Sequence, residues 1–397
     1  MQYASSVNDA YDFKPKGPAV PVGTKMPSPD LIKGCVVGCS MQSLKPLHCE
    51  DMCQRLHALD APNGTDAPKL LFSSVSLGPV MQEVRLQVSN EHKTRIRLWV
   101  SDDPTVGGRI ELGHHIGVLE QMTEVASRFT VKELQKAEFY SEDNGYETIR
   151  HSSGSEDRDI NLNHYPSQMS TFITDGEHQL SLALEHGHGV ASLYNGTLDV
   201  MQHRRGAPYG GTGGTVVIDD TDRIFTETWV SIGSVAASNK LRHSNKLRLN
   251  HPLTVMFADG KTNGATRAVI DPLAAKVTSI DESVHLQTVR ATTSTADEVL
   301  VNFLHVFGKN ELPAASTGAK SVDMEALISP FRPELVNFNE TSLNGMVSKE
   351  QAEAERMVWK TTTPPKAAPV APASARSDGS TMSIQPFEFK MFLAKEF

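Results

Sequence analysis

Residues 195–205 read Asn-Gly-Thr-Leu-Asp-Val-Met-Gln-His-Arg-Arg, and this stretch is the most informative in the chain. A β-strand carries successive side chains on opposite faces. Alternation predicts that one face carries Leu198, Val200, Gln202 and Arg204. It predicts that the other carries Asp199, Met201, His203 and Arg205. Both faces end polar, which is typical of a strand that runs from the interior of a β-sandwich to its rim or to a domain interface.

A second polar stretch, residues 219–227, reads Asp-Asp-Thr-Asp-Arg-Ile-Phe-Thr-Glu. Arginines at the end of the first stretch would meet carboxylates such as Asp219, Asp220 or Glu227, because these groups form strong, often bidentate hydrogen bonds. Ion pairs at surfaces and interfaces are common and individually weak. The residues by themselves therefore predict a structural network at the rim.

Short β-branched or alternating runs, separated by Gly, Asp and Asn, follow one another from about residue 70. The runs predicted as strands are 80–88, 94–100, 109–113, 123–131, 169–173 and 179–184. Asn144-Gly145 predicts a hairpin turn. Strands in such a series predict an antiparallel β-sandwich.

The chain is long enough for more than one domain with its own core, at 397 residues. We predict an irregular lead-in over residues 1–70, a large β-sandwich domain over 71–275 and a smaller C-terminal β domain over 276–397. The clearest strands of the last domain are 284–289 and 298–307, and residues 348–359 could form a short helix. A Pro- and Ala-rich loop, 361–380, precedes a final strand.

The four cysteines lie in one short segment of the lead-in, as Cys35, Cys39, Cys49 and Cys53. On helices, the two cysteines of each C-x3-C pair would lie one turn apart on the same face. Two disulfides could then join two such helices in an antiparallel hairpin, which would indicate an oxidising compartment. Four thiolates could instead hold zinc, although C-x2-C is the commoner zinc spacing. The cysteines could also be unpaired, and the sequence leaves these alternatives open.

Composition excludes some classes of function. The formal net charge of −9 and the lack of a basic stripe argue against a nucleic-acid partner, whereas a neutral glycan remains compatible. No run approaches the roughly 20 apolar residues that a membrane-spanning helix needs. The first residues lack the basic and apolar regions of a signal peptide, so the sequence taken literally predicts a cytoplasmic protein. The sequons at Asn63, Asn195 and Asn339 are weak signs of secretion.

The order of motifs along the chain resembles the C-terminal half of the zinc-dependent α-mannosidases of glycoside hydrolase family 38, especially the lysosomal type. Residues 195–205 are similar to the family pattern dGSLELMvHRR, and residues 219–227 to DDxRGvgE. Further likenesses in the same order are AYDFKP at 10–15, FYSEDNG at 139–145, SVHL at 283–286, NETSL at 339–343 and the final strand at 384–394.

This resemblance implies a mainly β fold, an antiparallel β-sandwich of the galactose-mutarotase-like type followed by a smaller C-terminal β domain. It also implies that α-mannoside hydrolysis, in glycan catabolism, belongs to a separate zinc-binding catalytic domain. We expect that domain to be missing from this chain, so that the chain alone is inactive and binds no cofactor itself. The implied compartment is the lysosome or secretory pathway. The alternative is a stand-alone, non-catalytic carbohydrate-binding or scaffold protein.

The same resemblance implies that the polar rim packs against the catalytic domain or helps to shape the sugar cleft. The candidates for that role are His203, Arg204, Arg205, Asp219, Asp220 and Arg223. Ile224 replaces the glycine that follows the arginine in the family pattern, and a position that requires glycine cannot accept isoleucine without rearrangement. The pairs His186/His188 and His114/His115 lack further ligands at a metal-site spacing, so we expect turn or surface positions for them.

Overall fold

The computed structural model describes residues 2–4, 72–87, 89–121, 123–134, 137–151, 163–205, 219–254, 280–292, 298–308, 311, 318–329, 332–357 and 380–396. The lead-in after residue 4 and its four cysteines lie outside the described residues. So do the predicted domain boundary at 275 and nearly all of the predicted loop 361–380.

The chain divides into two compact units, Met1–Leu253 and Thr254–Phe397. The strands of the first unit are β1 Gln2–Ala4, β2 Phe72–Leu77, β3 Met81–Gln87, β4 His92–Trp99, β5 Ile110–Ile116, β6 Thr123–Thr130, β7 Glu138–Glu142, β8 Thr148–His151, β9 Tyr165–Ser167, β10 Ser170–Thr174, β11 His178–Leu184, β12 His188–Ala191, β13 Thr197–Arg205 and β14 Ile224–Ser234. Its helices are α1 Pro104–Gly107 and α2 Val235–Asn250.

The strands of the first unit form two antiparallel sheets, one of nine strands in the order β2-β3-β4-β5-β14-β11-β10-β7-β8 and one of five in the order β1-β6-β13-β12-β9. Leu198 and Val200 of β13 pack in one buried cluster with Leu180 and Leu182 of β11, which joins the two sheets face to face. A second, smaller cluster, centred on Ile116, Leu119 and Val125, lies near the end of the sandwich where β13 finishes.

The second unit has strands β15 Val284–Ala291, β16 Glu298–His305, β17 Lys320–Asp323, β18 Asn337–Thr341, β19 Thr381–Ile384 and β20 Phe389–Lys395, with helices α3 Met324–Ile328 and α4 Lys349–Ala354. Four of the strands form an antiparallel sheet in the order β15-β16-β20-β18, and β17 pairs with β19. Phe303 and Phe392 meet edge to face in its core, with ring centroids 6.3 Å apart.

The predicted fold class is confirmed: the chain is mainly β, with an antiparallel sandwich followed by a smaller β unit. The predicted strands all occur, shifted by a few residues at their ends. The hairpin at Asn144-Gly145 is also confirmed, since Gly145 has a φ of 79° between β7 and β8. The predicted helix 348–359 is shorter, and the Ser348 hydroxyl caps its start by accepting from the Gln351 amide. None of the described helices is long and apolar enough to cross a membrane.

Helix α2, which the sequence did not predict, packs on β11 and β14 with a polar face. Its buried residues are Ser238, Asn239, Arg242, His243, Asn245 and Lys246. Arg242 and Lys246 each donate to the same oxygen of Glu142, Oε1, at 2.5 and 2.8 Å, and all three side chains are 0% exposed. We call these three residues the buried triad. Burial of two cations with one carboxylate is costly, so the remaining donors need partners. Arg242 also donates to the Ser170 hydroxyl, and Lys246 to the Gly145 carbonyl.

Candidate interface site at the end of strand β13

A β-bulge in β13 changes the face to which its last residues point. Met201 lies opposite Ala126 of β6, but His203 lies opposite Val125, so Gln202 is an extra residue. Because Ala126 and Val125 are consecutive residues of a regular strand, Met201 and His203 face opposite sides of the sheet. The prediction that they share a face is therefore wrong. After the bulge, His203 and Arg205 lie on the core side and Arg204 on the outer side.

Arg205 ties the end of β13 to two neighbouring segments. Its Nε donates to Asp219 Oδ1 at 2.6 Å, and its Nη1 donates to the Leu119 carbonyl at 2.7 Å. Leu119 follows β5 and Asp219 precedes β14, so one guanidinium joins the ends of three strands. The structure thus brings together one of the arginine–carboxylate pairs suggested by the sequence.

Arg204 pairs with a carboxylate that sequence reasoning missed, Glu124 of β6. Arg204 Nε lies 3.2 Å from Glu124 Oε1, and the two residues are directly opposite each other in the sheet. The Glu124 side chain is 1% exposed, and neither oxygen accepts a hydrogen bond from a described residue. Burial raises the pKa of Glu124 to about 7, and the positive charge of Arg204 opposes this only in part. Glu124 is therefore a carboxyl group that is half protonated near neutral pH.

A second cross-strand ion pair lies further along the same outer face. Arg128 of β6 donates twice to Asp199 of β13, with both distances 2.6 Å, and the guanidinium lies 4.9 Å from the centre of the Tyr194 ring. The sequence did contain a signal for these partners. Glu124 and Arg128 occupy same-face positions of the predicted strand 123–131, and their charges are opposite to those of Arg204 and Asp199.

The other candidates lie apart from this network. Asp220 accepts a hydrogen bond from the Asp222 amide and so shapes the turn before β14. Arg223 is 62% exposed and pairs with Glu91 at 3.3 Å. Glu227 accepts from Arg95 and from the Trp229 indole. The six candidates therefore do not converge on one centre.

The isoleucine that replaces the family glycine fits the fold without strain. Ile224 begins β14 and packs against Ile116, Leu119 and Val125. Among the described residues, Phe387 is the only non-glycine residue with positive φ. Ile224 therefore has an ordinary backbone conformation, and its side chain adds apolar burial at this position.

His203 belongs to a buried polar layer between the two sheets. A chain of hydrogen bonds crosses this layer: His114 contacts the Thr94 and Ser127 hydroxyls, Gln202 donates to Ser127, and Thr226 donates to Gln202. His92 lies 5.8 Å from His114, between ring centres. His188 contacts the Met201 carbonyl at the bulge, at 2.7 Å.

Burial in this layer holds His92, His114 and His188 neutral. It lowers the pKa of His114 to about 3 and the pKa values of His92 and His188 to about 4. The Nε2 atoms of His92, His188 and His203 have no hydrogen-bond partner among the described residues. Sequence reasoning considered His114 with His115, His188 with His186 and His203 with the rim, and only the sheet register shows that His92, His114, His188 and His203 lie on the core side of the two sheets.

The described residues contain no group of three or more His, Cys, Asp and Glu side chains arranged to hold a metal ion. The rings of His186 and His188 are 4.4 Å apart, between centroids, but His188 is buried while His186 is exposed. His114 and His115 are consecutive strand residues, and the first is buried and the second exposed. The described part of the chain therefore does not fit the zinc ion of a family 38 catalytic domain.

Comparison with known proteins finds a family model that matches part of this chain. The model described as "Glycosyl hydrolases family 38 C-terminal domain" matches residues 64–208, which include β2 to β13. The epididymis-specific α-mannosidase of Homo sapiens is 25% identical over 310 residues, covering 72% of this chain and 30% of the relative. The lysosomal α-mannosidase of Felis catus is 24% identical over 287 residues, covering 68% and 27%.

Among solved structures, an α-mannosidase from Enterococcus faecalis V583 aligns with a TM-score of 0.45 and 12% identity, covering 83% of this chain and 35% of that chain. The chain thus spans about a third or less of the length of the relatives that it matches. Residues 64–208 of this chain thus match the C-terminal domain of glycosyl hydrolase family 38, and the relatives to which the chain is similar are α-mannosidases.

Proposed function

We propose that this chain is the non-catalytic β portion of an enzyme that hydrolyses terminal α-D-mannosides, and that a zinc-binding catalytic domain outside this sequence performs the reaction. One observation supports this most directly. The chain covers only 30% and 27% of two α-mannosidases that it matches, while the described residues include no metal-binding cluster. The lysosome or secretory pathway is the proposed compartment, because several relatives are lysosomal α-mannosidases.

The geometry at the end of β13 supports an architectural role for three of the six candidates. Arg205 is engaged within the chain through Nε and Nη1, and Arg204 faces the buried Glu124. Such contacts fix the positions of strand ends and leave these guanidinium groups little freedom to reach a sugar. We therefore assign Arg204, Arg205 and Asp219 to the support of a rigid rim.

Arg223 is the candidate best placed to contact the catalytic domain or a glycan in its cleft. Most of its side chain is exposed, and the side chain of its ion-pair partner Glu91 is 42% exposed. An exposed pair is held weakly and exchanges partners at little cost. Arg223 can therefore turn to a carboxylate or a sugar hydroxyl without leaving a buried charge behind.

The first test is turnover of 4-nitrophenyl α-D-mannoside by the purified chain with added zinc. We expect no turnover. We expect turnover, lost on chelation, from the endogenous species captured with an antibody against residues 300–397. Zinc-dependent turnover by the purified chain itself would contradict the proposal. A captured species that binds glycans saturably without turnover would favour the alternative, a stand-alone carbohydrate-binding protein.

A further inference from the structure

Two of the three glycosylation sequons of the chain lie among the described residues, and an aromatic residue precedes each of these two. They read Tyr194-Asn195-Gly196-Thr197 and Phe338-Asn339-Glu340-Thr341, so nothing in the sequence distinguishes them as acceptor sites. The third, at Asn63, lies outside the described residues. The structure distinguishes the first two, because one of the aromatic rings is exposed and the other is buried.

The first sequon forms an exposed turn that precedes a strand. Strand β13 begins only at Thr197, whose amide donates to the Tyr194 carbonyl at 3.0 Å. The Thr197 hydroxyl donates to the same carbonyl at 2.8 Å, and Gly196 has a φ of 68°, which glycine adopts readily. Asn195 is exposed at this turn. A bulky oligosaccharide on Asn195 would therefore project from a loop and leave the strand pairing intact.

The ring of Tyr194 provides a packing surface directly beside Asn195. Tyr194 is 49% exposed, and the Arg128 guanidinium lies over its ring, 4.9 Å from the centre. Arg128 thus covers one face of the ring and leaves the other face available. The C–H groups of a pyranose carry a weak positive charge, so they pack well against the negative face of an aromatic ring. The first N-acetylglucosamine of a glycan on Asn195 can reach this face.

The second sequon lacks such a surface. Phe338 is 8% exposed and belongs to the core cluster of the second unit. Alternation along β18 places Asn339 on the opposite face of the sheet, where it is exposed. A glycan on Asn339 would therefore extend into solvent and could not pack on the neighbouring ring.

We propose that Asn195 is a site of N-linked glycosylation, and that the first N-acetylglucosamine packs on Tyr194 and stabilises the turn before β13. In the modification, Asn195 Nδ2 attacks the anomeric carbon of an oligosaccharide carried by a lipid diphosphate. A C–N bond replaces the C–O bond to the diphosphate, Nδ2 loses one proton, and the lipid diphosphate leaves. This step takes place in the secretory pathway, so the proposal rests on the compartment proposed above.

The first test is the occupancy of Asn195 in the endogenous species captured with an antibody against residues 300–397. Peptide N-glycosidase, used in water enriched in heavy oxygen, converts a glycosylated asparagine to a labelled aspartate. Mass spectrometry of the peptides then locates the label. We expect the label at Asn195.

Asn144 and Asn344 are the matched controls, since both are exposed and precede glycine as Asn195 does, but neither lies in a sequon. Asn-Gly pairs also lose ammonia spontaneously, which adds the same label, and a sample incubated without the enzyme measures this background. We expect no label above background at the two controls. An Asn195 labelled no more than these two would overturn the proposal.

The second test is a double-mutant cycle on the thermal midpoint of the full chain, produced once with glycans and once without. Eukaryotic cells secrete the first sample behind an added signal peptide, and bacteria produce the second in their cytoplasm. We expect Asn195→Gln to lower the midpoint of the secreted chain by about 2 °C, the shift that one aromatic contact gives in a unit of this size. The bacterial chain should show no change.

Substitutions of Tyr194 identify the packing partner. In the Tyr194→Ala background, Asn195→Gln should no longer lower the midpoint of the secreted chain, whereas Tyr194→Phe keeps the ring and should keep the effect. The contact with Arg128 that Tyr194→Ala also removes is present in both samples and therefore cancels in the comparison. Asn339→Gln is the control sequon and should leave the midpoint unchanged in both samples.

An equal effect of Asn195→Gln in the secreted and bacterial chains would contradict the sugar packing, and so would an effect that persists with Tyr194→Ala. An endogenous species that hydrolyses an α-mannoside but carries no label at Asn195 would exclude the glycan and leave the proposed function standing. A labelled species without turnover would do the reverse, so the two proposals can fail separately.

Discussion

Arg205 holds the end of β13 in place, so its removal should lower the free energy of unfolding of the sandwich. Arg205→Ala deletes a charge-assisted hydrogen bond to Asp219 and a bond to the Leu119 carbonyl. We expect a loss of about 1–3 kcal/mol in the free energy of unfolding. Urea unfolding followed by fluorescence measures it, since Trp99 and Trp229 both lie in this unit.

Arg223→Ala is the matched control for this measurement. Its ion pair with Glu91 is exposed, and such pairs contribute at most about 1 kcal/mol, often nothing measurable. Equal losses from the two substitutions would contradict the role assigned to Arg205.

Glu124 should make the stability of the sandwich depend on pH. Its pKa is raised in the folded state, from the ordinary 4.5 to about 7, so folding favours the protonated form. The stabilisation from this proton is fully present below pH 4.5 and is lost as the pH rises to 7. At about 1.4 kcal/mol per pKa unit, the change amounts to roughly 3 kcal/mol.

Glu124→Gln, which cannot titrate, isolates this effect. His92, His114 and His188 act in the opposite direction, because their lowered pKa values remove stability as the pH falls below 6.5. They titrate in both proteins, so the difference in unfolding free energy between variant and parent reports Glu124 alone. We expect this difference to change by roughly 3 kcal/mol between pH 4.5 and 7. A constant difference would refute the raised pKa.

The sequence revealed the acids and bases of the rim but could not show most of their pairing. Arg205 and Asp219 form one of the several arginine–carboxylate pairs that the sequence suggested, and they lie close together in the chain. Arg204 was placed on the wrong face relative to its neighbours, since one extra residue in the bulge reverses the alternation. Glu124 is separated from Arg204 by 80 positions, and only the register of β6 with β13 brings the two residues together.

Among the described helices and strands, α2 is the one whose packing depends most on a single charged side chain, Glu142. Glu142→Gln would leave Arg242 and Lys246 buried with no carboxylate between them. Breaking a buried ion pair in this way typically costs about 3–5 kcal/mol. We expect a loss of that size in unfolding free energy, and faster amide hydrogen exchange in α2 than in β11.

Glu138→Gln tests whether this cost is specific to the triad. Glu138 lies on the same strand, β7, but its pair with Arg150 is exposed. We expect a change within about 1 kcal/mol. A similar small change for Glu142→Gln would show that the triad contributes little.

The strands of this protein could be predicted from the sequence and helix α2 could not, for one physical reason. Strands such as β11 alternate or run apolar because they face the core, and this periodicity is visible in the residues. Helix α2 buries Ser238, Asn239 and Arg242, so it has no apolar stripe at helical spacing. Its position is set by partners such as Gln179 and Glu142, which lie far away in the chain.

At the scale of the whole molecule, the role proposed for Arg223 can be tested through the activity of the complete enzyme. Arg223→Ala in the full-length enzyme should lower kcat/KM for an α-mannoside by about 10-fold or more, because a lost charged contact costs 1.5 kcal/mol or more. The thermal midpoint should not change. Arg150→Ala, which removes an equally exposed arginine elsewhere in the sandwich, should leave kcat/KM unaltered. Equal effects from both variants would remove Arg223 from the catalytic interface.

The polar face of helix α2 has a consequence for how this protein behaves when it is partly open. A helix that detaches from a sheet usually exposes apolar surface, which binds chaperones and promotes aggregation. Detachment of α2 would instead uncover hydroxyls, amides and charges on the helix itself, all of which water can solvate. On the sheet side, detachment would uncover the ring of Phe172, over which Arg242 lies. An opening at α2 would therefore expose polar surface on the helix and an aromatic ring on the sheet.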